Sequence, residues 1–352
     1  MKVGIVTVYQ SYNCGSFLQA YAMQQTLEDF GCQPRFLKNK RTRRSRLWYR
    51  MMQAVKYVYA GKPQRAKHLL KVYDNFRRAQ RRLTVTAGFT GIDTAVYGSD
   101  TIWNIDQKSF LNNWRRFYGA DFNGRKIVYA ASVGDANEEK LLSHKQICSA
   151  VTDFDAIAVR DGATWSFVKA CCGVDRHVDF VADPTMLLPV QTYEALAPKL
   201  SGQGYILFYY FGAIPEYVKK QVREFADETN RKIVVFGEDD GWADAYVSND
   251  PFLMLGYYKN ADYVITNTFH GNVFSIIFNK QFISFGKEKQ KVCDLLDTFG
   301  LSKRLLDTDA PFVSLFGEEI DYSQTNEKLA SLRTHSLEYL HNAIFSKKDL
   351  EV

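Results

Sequence analysis

A chain of 352 residues exceeds one typical compact domain, so two domains are the expected organisation. Hydrophobic content of 46% and charged content of 24% are ordinary for a globular protein, and no stretch approaches the length of a membrane-spanning helix. The net charge of +6 conceals an asymmetry: between Arg35 and Arg82 seventeen Lys and Arg stand against one acid, Asp74, so this segment carries +16 and the remainder −10.

The N-terminus enters a strand pattern, Val3–Val8, with no signal-peptide cleavage region before it. A loop from Tyr9 to Gly15 leads to a helix expected over Ser16–Phe30, whose apolar residues alternate with polar ones at helical period and which Gly31 closes. The loop lacks G-x-G-x-x-G, so no dinucleotide fingerprint is present. The basic block then reads as a helical hairpin inserted at about 41–83. Leu47, Met51, Ala54, Val55 and Val58 make an apolar face beside Trp48, Tyr49, Tyr57 and Tyr59, and a second helix starts at Pro63. It fits either a solvated cover of the fold or a contact with an anionic membrane surface, and no nucleic-acid-binding module accompanies it.

Strands follow at Ala95–Gly98, Lys126–Ala131, Ala156–Arg160 and His177–Val181, separated by helices at about 137–151 and 161–172. This alternation argues for a parallel, doubly wound α/β sheet. The pattern weakens from Pro189 to Gly204, where the interdomain linker is expected. The N-terminal domain is therefore bounded at 1–190. A second unit over 204–325 has strands at Gly204–Tyr210, Lys232–Phe236, Tyr263–Thr266 and Gln281–Phe285. A last amphipathic helix within 326–352 is long enough to return to the first domain. The six cysteines (Cys14, Cys32, Cys148, Cys171, Cys172 and Cys293) show no C-x-x-C spacing and no disulfide framework. Reduced thiols, a cytoplasmic setting and no metal site follow as expectations.

One junction carries the strongest chemical signal. Tyr263 to Thr266 reads as a buried strand, about His270 to Phe278 as a helix closed by Asn279 and Lys280, and the stretch Asn267-Thr268-Phe269-His270-Gly271 spans the junction. His270 and Gly271 thus fall at a helix N-terminus at the carboxyl end of a strand. Unpaired amides and the positive end of the helix dipole make such a place an anion site, and glycine lets a ligand approach the backbone.

This stretch resembles the signature of the polysaccharide pyruvyltransferase family. Further landmarks occur in order: Tyr12-Asn13-Cys14-Gly15, Tyr97-Gly98-Ser99-Asp100 with Trp103-Asn104, Tyr129-Ala130-Ala131-Ser132, Ala158-Val159-Arg160-Asp161, and Ala182-Asp183-Pro184-Thr185. The resemblance implies two Rossmann-like domains facing a cleft, in the glycosyltransferase-B arrangement, with the acceptor on the N-terminal side and the donor on the C-terminal side. It also implies transfer of pyruvate from phosphoenolpyruvate, as co-substrate and without a cofactor, to two hydroxyls of one sugar in a glycan or lipid-linked oligosaccharide.

Such chemistry needs positive potential for a phosphate and a carboxylate, a proton for the methylene carbon and a base for the attacking hydroxyl. His270 is the candidate acid–base or phosphate-binding group, with Asn267, Thr268 and Gly271 beside it on the donor side. Arg160 is either a donor clamp or a structural partner of Asp161 or Asp183. Lys287 resembles the family's downstream lysine, with Lys289 and Lys291 as neighbours. Asp100 either orients or deprotonates an acceptor hydroxyl or caps a helix. Asn13, Gly15, Trp103 and Asn104 are placed on the acceptor side. Many family members carry Arg-Leu before this histidine, where Thr268-Phe269 stands here. Two rival functions fit the same sequence: a nucleotide-sugar glycosyltransferase of the same fold, and a non-catalytic membrane-associated scaffold of glycan assembly.

Overall fold

The computed structural model describes residues 1–38, 43–202, 204–237, 241–306 and 312–346, with backbone alone at 43–46 and 313. Two all-parallel sheets form the chain's framework. The first holds β1 (Lys2–Val6), β2 (Gln33–Leu37), β3 (Val85–Thr86), β4 (Thr94–Tyr97), β5 (Arg125–Ala131), β6 (Ala156–Val159) and β7 (Asp179–Phe180) in the order β3-β2-β1-β4-β5-β6-β7. The second holds β8 (Tyr205–Tyr209), β9 (Lys232–Phe236), β10 (Ala245–Val247), β11 (Tyr263–Thr266) and β12 (Gln281–Ser284) in the order β10-β9-β8-β11-β12. β4 and β8 are buried along their whole length, as strands covered by helices on both faces must be. Each order reverses once, between β1 and β4 in the first sheet and between β8 and β11 in the second. Such reversals open a crevice at the strands' carboxyl ends, where ligands of open α/β sheets bind.

Three strands escape the sequence pattern. β2 begins the basic block with Gln33, Pro34 and Arg35, and β3 and β10 are edge strands of two and three residues. Too short or too polar to show a period, they are recruited by pairing with β1, β2 and β9.

The first helix, Cys14–Asp29, is not amphipathic, contrary to its sequence pattern. Gln19 and Gln24 are buried with its apolar residues. Gln19 Nε2 donates to the Ser16 carbonyl at 2.8 Å and the Val8 carbonyl at 3.1 Å, and Gln24 bridges Arg82 O and Thr84 N. Paired in this way, a polar side chain is tolerated inside. The helix is enclosed because it lies between the domains, with Phe17 edge-on to Phe252 at 5.7 Å between ring centroids.

The expected linker also differs. Val190–Leu196 is a helix whose Tyr193 is fully buried, its hydroxyl donating to the Thr185 carbonyl at 2.7 Å. The hairpin consists of helices Arg43–Tyr59 and Pro63–Gln80; its expected start at residue 41 lies outside the described residues. The last helix, Ser323–Phe345, lies on the first domain: Tyr339 Oη donates to Val128 O at 3.1 Å and Arg333 Nε to Met186 O at 2.7 Å. Among the described residues, no helix is long and apolar enough to cross a membrane.

Candidate active site

The loops after β1, β4, β6 and β11 meet at the crevice. Asn13 starts the Cys14–Asp29 helix, its side chain accepting from Ser16 N at 3.2 Å. Its oxygen is thus a helix cap, which also accounts for its place in the sequence. Gly15 follows, and His270 of the other domain lies directly against it. A Cβ built on Gly15 would stand 2.2 Å from His270 Cγ and 2.3 Å from Nδ1. Only glycine admits the imidazole there. Gly15→Ala is therefore expected to cost about 1–3 kcal/mol by overpacking and to displace the ring. Thermal unfolding and turnover would both report it, and a wild-type midpoint with wild-type turnover would show the ring to be more loosely held.

Beyond His270 lies the buried core of the site. Asp183 is wholly buried and pairs with Arg160 Nη1, whose side chain is 3% exposed. Asp183 Oδ2 also accepts from Ser99 Oγ at 3.0 Å, and Oδ1 accepts from Thr185 N at 3.0 Å and Thr185 Oγ1 at 2.7 Å. Burial alone would raise this carboxyl, but the facing His270, Arg160 and Thr185 outweigh it and hold the group well below the usual carboxylate range. His270 Nε2 stands 3.7 Å from Asp183 Oδ2, an ion-pair separation rather than a hydrogen bond. Among the described residues, His270 Nε2 and Arg160 Nε are both buried without a hydrogen-bond partner. Two orphaned nitrogens beside one carboxylate leave hydrogen-bonding capacity that no protein group meets.

Of the two structural partners weighed for Arg160, Asp183 is the one it pairs with. Asp161 instead caps the Gly162–Cys172 helix through Thr164 N at 2.9 Å. The guanidinium also lies over the Phe269 ring, 4.5 Å from its centroid, a cation–π contact. Thr268 caps the Phe269–Ile277 helix, accepting from Gly271 N at 2.8 Å. At Gly271 a Cβ would meet Thr266 Oγ1 at 2.0 Å, so this position too is closed to any side chain. The Thr268-Phe269 pair thus builds the helix start and supports Arg160.

Asn267 ties together the loops that follow β8 and β11: its Nδ2 donates to Phe211 O at 2.9 Å and its Oδ1 accepts from Phe211 N at 3.0 Å. Both side-chain atoms are committed, so a donor contact through them would have to break this tie. Asp100 remains at the crevice, its Oδ2 accepting from Ser16 Oγ at 2.5 Å and its Oδ1 from Thr101 N at 2.8 Å. It thereby touches the same helix start that seats His270.

Three further candidates make other contacts. Trp103 is fully buried, stacked on Tyr118 at 5.2 Å with Nε1 donating to Phe117 O at 3.0 Å, so it is packed as a core residue. Asn104 accepts from Asp106 N at 3.0 Å within its own loop. Lys287 is exposed, and half-buried Lys289 donates to Asn267 O at 2.8 Å, which ties it to the His270 loop. Burial pushes the Lys289 ammonium pKa down. The sequence offers Asp183 only as a structural partner of Arg160, and it assigns neither Ser99 nor Phe269 to the site. An acid before Pro184 at the end of an apolar strand was the available signal for the first of them.

Two Rossmann-like domains with facing switch-point crevices and a site between them define the glycosyltransferase-B-like class. Solved structures agree at the level of fold. A UDP-N-acetylglucosamine 2-epimerase, so described provisionally, from Listeria monocytogenes superposes with TM-score 0.51 at 10% identity, covering 100% of this chain and 98% of that one. S. aureus MnaA in its structure with UDP gives 0.50 at 10%, covering 96% and 90%. An alpha-glucosyltransferase in complex with UDP gives 0.50 at 10%, covering 99% and 96%. Residues 13–287 match the family described as Polysaccharide pyruvyl transferase, and the chain belongs to it. No curated protein matches the chain.

Proposed function

We propose that the protein transfers the pyruvyl group of phosphoenolpyruvate to two hydroxyls of one sugar, in a cell-surface glycan or its lipid-linked precursor, forming a cyclic ketal. The observation that carries this reading is the pair of orphaned buried nitrogens, His270 Nε2 and Arg160 Nε, beside a helix N-terminus. Each unsatisfied buried donor costs about 1–3 kcal/mol, which an arriving anionic oxygen recovers. Phosphoenolpyruvate brings two such anionic groups. Both nitrogens are shielded from solvent, so donor entry requires the two domains to part, as in hinge closure around a ligand.

His270, in its protonated form, gives a proton to the methylene carbon, which becomes the methyl group. The resulting cationic carbon is attacked by the first sugar hydroxyl. Phosphate then leaves with its bridging oxygen, and the second hydroxyl closes the ketal. Two hydroxyl protons are released against one taken up at carbon, and the balance departs with phosphate. Asp100, at the acceptor-side helix start, takes a hydroxyl proton in this reading, exchanging its bond from Ser16 for one from the sugar. Asp183 faces His270, and Arg160, paired with Asp183, offers one guanidinium edge to the donor. A lipid-linked acceptor would bring the enzyme to the inner face of a membrane, and the 35–82 segment is charged for that setting.

Phosphoenolpyruvate at about a hundred times its Kd is expected to stabilise the protein by about 2.7 kcal/mol, seen as a raised thermal midpoint. Phosphate release from phosphoenolpyruvate with candidate glycan acceptors then tests the chemistry. A midpoint raised by uridine diphosphate but not by phosphoenolpyruvate would replace this reading with a nucleotide-sugar glycosyltransferase.

A further inference from the structure

The Arg43–Tyr59 helix is exposed over most of its described side chains. Ala54 is its one buried side chain among those described. Of the fifteen large apolar side chains exposed among the described residues, nine lie between Leu47 and Leu70. Trp48, Met51, Met52, Val55, Val58 and Tyr59 share the outward face, with Trp48 65% and Tyr59 89% exposed. Scattered exposed apolar residues are ordinary, but a contiguous patch of this kind marks a contact surface.

Charge identifies what covers it. The segment carries +16, and Lys56, Lys62, Lys67 and Lys71 of the hairpin are exposed. Asp74, the lone acid, is spent on Arg77 and Arg78 at 3.3 and 3.2 Å. An apolar protein interface would be crowded by this uncompensated charge, whereas an anionic bilayer accepts both parts: lysines at the headgroups, Met and Val below them, Trp and Tyr at the boundary. With no described helix able to span a membrane, the helix would lie in the interface.

The hairpin is also joined to the site. Its second helix is anchored by buried Val72, Phe76 and Ala79, and it touches both domains: Gln80 Nε2 donates to Tyr9 O at 3.2 Å and Asn75 Nδ2 to Asn249 O at 3.2 Å. The Arg50 guanidinium lies 4.1 Å over the ring of Tyr12, which packs edge-on against Phe76 at 5.8 Å. Tyr12 stands on the loop that leads to Gly15 and the His270 seat.

We propose that the outward face of the Arg43–Tyr59 helix inserts into an anionic phospholipid surface, placing the acceptor side of the cleft against the membrane that carries its glycan. Membrane binding stands on the helix alone; the clause about the acceptor rests on the function proposed above. The test is co-sedimentation of the full chain with phosphatidylcholine vesicles, with and without phosphatidylglycerol, over a range of salt, for the native protein and for Val55→Glu with Val58→Glu. Each exposed lysine near such a surface is worth about 1 kcal/mol, so several engaged together should favour the anionic vesicles by well over ~10-fold, with release as salt rises.

The double variant should lose binding while keeping its thermal midpoint and its shift with phosphoenolpyruvate. Failure of that shift in the native protein would remove the proposed donor and leave the vesicle result standing. Absence of binding to anionic vesicles at low salt, or binding unchanged in the double variant, would overturn the proposal. So would a lipid-free dimer in light scattering that the same substitutions dissolve, because a second copy would then cover the face.

Discussion

His270→Ala is expected to lower turnover with phosphoenolpyruvate by about 10²–10⁴-fold, the range for losing a general acid or base, in a protein that still folds. The residue is 7% exposed and its ring lies against Gly15, so its removal opens a gap at the domain interface without stranding a polar partner. Asp183 keeps Arg160, Ser99 and Thr185. His270→Gln, closer in volume, separates packing from proton transfer: it should restore the thermal midpoint more than the rate. Phosphate release gives the rate, and far-ultraviolet circular dichroism with thermal unfolding gives the fold. A folded His270→Ala protein with near-native turnover would remove His270 from the chemistry.

The second large effect is on stability. Asp183→Ala leaves the Arg160 guanidinium buried without its counter-ion and should cost about 3–5 kcal/mol. Thr185 N and Oγ1 and Ser99 Oγ lose their acceptor in the same step. Asp183→Asn should cost less, since an amide oxygen still accepts. The pH dependence has a definite sign. The folded-state pKa of Asp183 is depressed, so its contribution is complete above the unfolded carboxylate pKa of about 4 and is lost as pH falls towards the folded value. Urea unfolding at neutral pH should therefore separate native protein and Asp183→Ala widely, and the gap should narrow in acid. Equal unfolding midpoints at neutral pH would show that Arg160 finds another partner.

The local features were legible because they depend on near neighbours in the chain. The alternation of apolar runs with helical stretches sets two parallel sheets, and Val264-Ile265-Thr266 followed by Phe269-His270-Gly271 marks a strand, a turn and a helix start. The density of Lys and Arg between Arg35 and Arg82 is likewise a property of composition alone. By itself, then, the sequence determined the fold class, the junction at His270 and the charged hairpin.

Tertiary structure decided which residues meet. Trp103 sits in the same loop as Asp100, yet it turns into the core and stacks on Tyr118 because its large apolar surface is best buried. Asp183 reads as an ordinary acid before a proline until β4, β6 and the Phe269–Ile277 helix bring Ser99, Arg160 and His270 around it. Gly15 and His270 are 255 positions apart in the chain, and only contact between the domains makes glycine obligatory at the first. Local pattern carries information over a few residues. The site is an interface between two domains, and its partners are chosen by the packing of surfaces far apart in sequence.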